Sequence, residues 1–218
     1  YKRQVEDYGL APEDLVYDAL TFTLATGDPE LRDSALQTLE GIRRIKAELP
    51  GVLTSLGVSN VSFGLSRPAR AVLNSIQGKW GLTFSVEIAR QGGKNELSAQ
   101  LEVLLLTMFM GKGGNSIKCA PTFKPQTIVS MMRLKERLDD FGFGGIWTAE
   151  MGYIIKLGAA LQIFLSAQES SSVVGHTADI LLEVDESQDV SKDKYTKEFR
   201  PMGSAHNVTT VHYGTTWD

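Results

Sequence analysis

The stretch Val86–Gln100, VEIARQGGKNELSAQ, decides the fold. It reads as an apolar strand, a short loop holding two glycines and a lysine, and the start of a helix. A loop of that layout binds phosphate when its backbone N–H groups and the helix N-terminus point at phosphate oxygens and its lysine reaches the terminal phosphates. Gly92 and Gly93 let the backbone approach closely, and Lys94 stands at the helix start. The GxxxxGK[ST] pattern is incomplete: Ala89 replaces the first glycine, and Asn95 replaces the Ser or Thr. Taken alone, the stretch reads more readily as an ordinary strand-to-helix turn.

Working outward, residues 180–189, ILLEVDESQD, supply the second half of such a site. An apolar run that ends in Asp-Glu brings two carboxylates to the end of a buried strand. Asp185 is placed to hold Mg²⁺, usually through water, and Glu186 to polarise an attacking water as general base. Gln188 and Asp189 follow as residues that read the γ-phosphate or brace the site. Two further pieces agree. IKCAPTFKPQT (117–127) is a strand ending in a polar loop, as in helicase-like motor cores. NVTTVHYGTTWD (207–218) sets Thr215 and Thr216 just after another strand, where a hydroxyl couples hydrolysis to movement in such motors.

Together ARQGGKNELSAQLE, APTFKPQT, LLEVDESQDVSKDKYTKEFRPMGS and TTVHYGTTWD resemble the ATPase domain of the large terminase subunit, the viral DNA-packaging motor. The resemblance covers residues 76–218. Its loop often reads Arg-Gln-x-Gly-Lys, which accounts for Ala89. By this resemblance Arg90 contacts the phosphates or acts as the charge-stabilising arginine, and Gln91, Gly92, Gly93 and Lys94 cradle the phosphates of ATP. Asn95 faces Mg²⁺ beside Asp185, through an amide oxygen that serves less well than a hydroxyl. The implied partners are double-stranded DNA, viral packaging proteins and further copies in an oligomer. The family continues into a nuclease domain, and this chain stops before it, so DNA cleavage is not expected.

The first third is different in kind. YDALTFTLATG and LRDSALQTLEGIRRIKAELPGVLTSLGVSNVSFGLSRPARAVLNS resemble the pterin-binding barrel of methyltetrahydrofolate methyltransferases, the folate module of cobalamin-dependent methionine synthase. The resemblance covers about residues 1–75, and LGVSNVSFGL is its most specific part. It implies a (β/α)₈ barrel with ligand residues at the C-terminal strand ends. Asn60 then hydrogen-bonds the pterin near the reacting nitrogen, and Asp18 binds the pterin ring. Ala19 departs from the Pro usual after that Asp. A complete barrel of this type needs about 250 residues, so this stretch supplies a fragment.

Composition bounds the alternatives. The formal net charge is -4, and both parts are mildly acidic: residues 1–75 carry 8 basic and 10 acidic side chains, and residues 76–218 carry 14 and 16. Any nucleic-acid contact therefore comes from a local patch. A single cysteine, Cys119, excludes a disulfide framework and fits a reducing cytoplasm. Three scattered histidines give no zinc pattern. The run LEVLLLTMFM is too short to span a membrane. The missing initiator Met and the abrupt TTWD read as cuts in a longer protein.

The expected fold is α/β: a P-loop NTPase core with a parallel sheet, preceded by a partial (β/α)₈ barrel fragment, the seam falling at about residues 66–80. Residues 28–49 read as a helix with Asp28 as N-cap and Leu31, Ala35, Leu39, Ile42 and Ile45 on its buried face. Helices are also expected over 66–75, 95–110 and 124–141, and strands near 82–89, 115–122, 153–158, 161–167, 178–184 and 207–214. Met108 and Met110 are expected in the core with Leu104–Leu106, and SKDKYTKEFR (191–200) on a solvated face that could touch DNA. Three functions compete: ATP hydrolysis, folate-dependent methyl transfer through Asp18 and Asn60, and a non-catalytic DNA-binding or assembly fragment. The two unrelated resemblances point to a recombined or misassembled reading frame.

Overall fold

The computed structural model describes residues 1–19, 34–55, 67–89 and 93–215, with side chains in the second stretch from residue 36. The expectations at Asp28, Leu31, Asn60, Arg90, Gln91, Gly92 and Thr216, and the Ala35 side chain, lie outside the described residues. The chain divides into two compact units, Tyr1–Gly64 and Leu65–Asp218.

The first unit holds β1 (Val16–Asp18), α1 (Ser34–Glu48) and β2 (Leu53–Ser55). The two strands pair in parallel, with Val16 opposite Leu53 and Asp18 opposite Ser55. Parallel neighbours require a crossover, and α1 lies in it. The expected apolar face is only partly buried. Thr38 is buried and Ile42 and Ile45 are half-buried, whereas Leu39 is 38% exposed. Val16 and Leu53 on the strands are also exposed, so the described residues of this unit enclose little core.

The second unit opens with α2 (Arg67–Gln77), which buries Ala69, Val72, Leu73 and Ser75. A sheet follows, built from β3 (Thr83–Glu87), β4 (Gly114–Ala120), β5 (Thr148–Glu150), β6 (Ile154–Leu157), β7 (Ala160–Ser166), β8 (Leu181–Val184) and β9 (Thr209–Gly214). Its order is β3-β9-β8-β4-β7-β6-β5. The strands from β3 to β7 in that order run parallel, and β6 and β5 add an antiparallel extension at one edge. β8 is buried along its whole length, and β4 from Ser116 onward, because helices and loops cover both faces. Leu181, Leu182 and Val184 are each at most 1% exposed.

α3 (Lys94–Phe109) is enclosed on nearly all sides from Ser98 to Leu106, the mark of a central helix. It buries Leu101 and Val103 through Leu106, while Met108 emerges at 36% exposure instead of joining the core. α4 (Ile128–Leu138) starts later than its pattern suggests. Lys124 has extended backbone angles before Pro125, in a kinked lead-in over Phe123–Thr127; a residue before proline is driven away from the helical region. The segment 191–200 is not merely solvated: Lys194 and Phe199 are buried. Lys194 hydrogen-bonds the Ser171 carbonyl and pairs with Glu198 at 2.8 Å.

The turn between β6 and β7 tests this packing. Gly158 has φ +60°, and a Cβ there would lie 2.5 Å from the Met110 carbonyl oxygen. That carbonyl also accepts from Ala159 N at 2.8 Å. Gly145 has φ +78° with nothing within 4 Å of its Cβ position. Gly158→Ala is expected to lower unfolding free energy by about 2 kcal/mol or more, and Gly145→Ala by about 1 kcal/mol. Urea denaturation of both variants checks this, and equal losses would contradict the steric assignment.

Candidate active site

Three parallel strands bring their C-terminal ends to one edge of the sheet. β3 leads towards Lys94, β8 runs into Asp185 and Glu186, and β9 runs into Thr215. β9 lies between β3 and β8, so Thr215 stands between the lysine and the carboxylates in strand order. Crevices of this kind, where the crossover leaps over neighbouring strands, are where open α/β sheets bind ligands.

Gly93 takes the left-handed conformation, φ 87° and ψ 18°, and begins α3 without a side-chain cap. Its carbonyl accepts from Leu97 N at 2.9 Å. Lys94 therefore leaves the first turn of a helix whose leading N–H groups lack intrahelical partners. Its ammonium lies 3.1 Å from Asp185 Oδ1 and pairs directly with Glu186 Oε1. The Lys94 and Asp185 side chains are 12% and 5% exposed. Asn95 follows, half-buried, on the same turn.

Asp185 is held from three elements. Its amide donates to the Cys119 carbonyl of β4 at 2.8 Å. Its Oδ1 accepts from Glu186 N at 3.0 Å, and its Oδ2 from Ser130 Oγ of α4 at 3.5 Å. Glu186 sits in the left-handed region, φ 45° and ψ 51°. A non-glycine residue held there stores about 1 kcal/mol or more, and such strain concentrates at functional sites. Its Oε2 accepts from Gln188 Nε2 at 2.8 Å and from Thr215 Oγ1 at 3.2 Å. Burial pushes the Glu186 carboxyl up, but hydrogen bonds from Lys94, Gln188 and Thr215 outweigh it and hold the group below its ordinary value. The carboxylate form, the one a base requires, is thus the favoured one. Gln188 also reaches Asp189 Oδ2 at 3.5 Å.

Lys94, Asp185, Glu186, Gln188 and Thr215 thus converge, with Asn95 adjoining. Ser130 was not foreseen: a serine inside a helical pattern carries no signal that it faces a carboxylate 55 residues on. In the first unit, Asp18 ends β1 on an exposed face, opposite Ser55, whose carbonyl accepts from Ala19 N at 3.3 Å.

Comparison with known proteins finds two separate likenesses. The family model "Pterin binding enzyme" matches residues 1–95. Methionine synthase of Mycobacterium tuberculosis is 47% identical over 70 residues, 32% of this chain, and that of Mycobacterium leprae is 46% identical over 70. The matched part spans only 6% of the length of either relative. The HK97 bacteriophage large terminase superimposes with a TM-score of 0.58 at 17% identity, over 69% of this chain and 33% of its own. A Thermus phage large terminase ATPase domain gives 0.52 at 15% identity, over 62% and 59%. The large terminase of a thermophilic bacteriophage, solved in complex with ADP, gives 0.51 at 13% identity, over 68% and 38%. The fold over most of the chain is that of a phage terminase ATPase domain. At these identities the likeness to terminase is one of fold, whereas the methionine synthase likeness is one of sequence.

The site geometry carries its own test. Lys94→Ala leaves the Asp185 carboxylate nearly buried without its cation. The expected loss of stability in nucleotide-free protein is about 2 kcal/mol, smaller than for a fully enclosed pair because Lys94 retains some solvent contact. Adding Asp185→Asn removes the stranded charge and should recover part of that loss. Urea unfolding of the single and double variants measures the coupling, and strictly additive losses would count against the ion pair.

Proposed function

We propose that residues from Leu65 onward form the ATP-binding and ATP-hydrolysing core of a DNA-packaging motor. The observation that carries this reading is the Lys94 ammonium lying between the Asp185 and Glu186 carboxylates, with Thr215 bonded to the latter. An ammonium at that point stands in for the positive charge that a metal ion would bring. The oxygen donors of Asp185 suit Mg²⁺, and Asn95 follows Lys94 on the first turn of α3. Mg²⁺ bound there supplies charge neutralisation of the phosphate oxygens.

The chain's own residues then act as follows. Lys94 exchanges its carboxylate partners for phosphate oxygens, as a helix-start lysine can by rotating its stem. The N–H groups of the Gln91–Lys94 loop add hydrogen bonds to the same oxygens, and Arg90 neutralises charge on the transferred group. Glu186, released from Lys94 but still held by Gln188 and Thr215, orients the attacking water and accepts its proton. Thr215 links that carboxylate to β9 and so conveys its position to whatever follows the strand. Double-stranded DNA, packaging proteins and other copies of the chain are the partners that fit such a motor, in the cytoplasm of a host cell. Among the described residues no helix is long and apolar enough to cross a membrane.

A second reading concerns the first unit and rests on the 47% identity to methionine synthase. Under it Asp18 and Asn60 bind the pterin of methyltetrahydrofolate. Only one parallel strand pair of the eight-stranded barrel is described in this unit, and no methyl transfer is proposed for it. Calorimetry of the full chain with methyltetrahydrofolate is expected to give no stoichiometric binding; a one-to-one heat would establish the pterin site.

For the motor reading, Lys94→Ala is expected to weaken ATP affinity at least about 100-fold, since the phosphates lose their principal cation. Glu186→Gln should keep nucleotide affinity within about threefold while hydrolysis falls at least about 100-fold, because only the base is lost. Fluorescent-nucleotide titration and phosphate release measure the two effects. Unchanged affinity in the first variant, or parental turnover in the second, would refute the assignment. Asn95→Thr, which restores the usual hydroxyl, should lower the Mg²⁺ concentration needed for half-maximal turnover.

A further inference from the structure

Behind the candidate site lies a group of enclosed charges that the proposed chemistry does not use. Lys118 on β4, Ser98 and Glu102 on α3, and Glu183 on β8 are each at most 2% exposed. Lys118 Nζ donates to Ser98 Oγ at 2.7 Å and to Glu102 Oε1 at 3.1 Å. The Ser98 hydroxyl lies 3.0 Å from Glu102 Oε1 and 2.7 Å from Glu183 Oε1. Lys118 and Glu183 stand opposite each other in the strand register. The Tyr213 phenol of β9 belongs to the same enclosure: burial, then the Glu183 and Glu102 charges, raise it well above its ordinary value. Burial alone would lower Lys118, yet the charges of Glu102, Glu183 and Asp185 raise it and keep it cationic.

This is a poor arrangement for stability alone. One ammonium faces two carboxyl groups, and Glu102 Oε2, Glu183 Oε2 and the Tyr213 hydroxyl are buried with no hydrogen-bond partner. Well-packed apolar side chains commonly replace such a group with no loss, and its best-attested use is to fix register. The placement shows which register. Ser98 is one helical turn beyond Lys94, on the same face of α3. Glu183 is two residues before Asp185, on the strand that presents both carboxylates. The Ser98 hydroxyl is therefore a pin between the helix carrying the lysine and the strand carrying the acids.

We propose that Lys118 and Ser98 are positioning residues for the ATPase reaction, holding α3 and β8 at the spacing that lines up Lys94 with Asp185 and Glu186. The inference rests on the motor reading above. Without Lys118 the buried Ser98, Glu102 and Glu183 group loses its cation and its donor, and α3 moves away from β8. Phosphate contacts made by the loop and Lys94 travel with α3 and persist, whereas the metal-binding and base carboxylates fall out of line. The loss thus falls on turnover more than on binding.

The experiment uses the full chain, with turnover expressed per nucleotide-binding site titrated by fluorescent ADP. Lys118→Met is expected to lower kcat at least tenfold with nucleotide affinity changed less than about threefold. Adding Glu183→Gln, which replaces the stranded carboxyl with a neutral group able to bond Ser98, should recover most of that kcat. Ser98→Ala, which leaves every charge in place, covers the case in which Lys118→Met does not fold, and is expected to lower kcat at least fivefold. A purely structural role would reduce the number of binding sites and leave kcat per site at the parental value; that result in Ser98→Ala, or in folded Lys118→Met, overturns the proposal. A parent chain that binds no nucleotide removes the motor reading and this inference with it, an outcome separate from normal binding and turnover in the variants.

Discussion

The second unit turns on one ammonium group. Lys94 begins a helix that is enclosed on nearly all sides, and its charge is met by Asp185 and Glu186 at the end of a fully buried strand. Two acids at the end of a buried strand cannot stand close together without a cation. A helix start cannot enter the sheet edge without something to accept from its free N–H groups. The lysine answers the first need, and an anionic ligand would answer the second. The site thus has the charge pattern of a place where a cation and an anion arrive together.

Strand order turns that local pairing into a relay. With β9 inserted between β3 and β8, the strand that precedes the lysine and the strand that carries the acids do not touch each other. Their approach is spanned by α3 above the sheet and by Thr215 at the end of the intervening strand. A displacement of Glu186 is therefore felt first by β9, through a hydroxyl, and by α3, through the lysine. These are the two connections along which a chemical event at the acids can leave the site.

Much of this was legible in sequence for physical reasons. α3 and β8 announce themselves through their apolar residues, Val103–Leu106 in a helix of sixteen residues and Leu181, Leu182 and Val184 in a strand of four, and Asp-Glu after such a strand has nowhere to lie but at its end. The insertion of β9 was not legible, because pairing between distant strands leaves no local mark. β5, TAE, has no apolar alternation and owes its form to β6 beside it. Lys194 looked solvated because a lysine among charges usually is; the carbonyl that receives it lies 23 residues earlier. In α1 the helical period was right, but the described residues of the unit offer too little opposing surface to enclose it, and Leu39 is exposed among them. Lys118 and Glu183 were visible as charges inside apolar runs, a signal whose meaning depends on knowing that their strands are neighbours.

α2 lies inside the stretch matched by the pterin-binding family model, yet it is counted with the second unit. There it touches α3 and β9, and its Ser75 hydroxyl bonds that of Thr209 at 2.8 Å and accepts from Leu82 N at 3.2 Å. An amphipathic helix carries no record of the core it came from: any surface of suitable shape with a donor in the right place will receive it. Kinship and packing therefore draw their borders at different residues in this chain. A segment that resembles one family in sequence can serve as a wall of a differently folded unit, provided that its apolar stripe is intact.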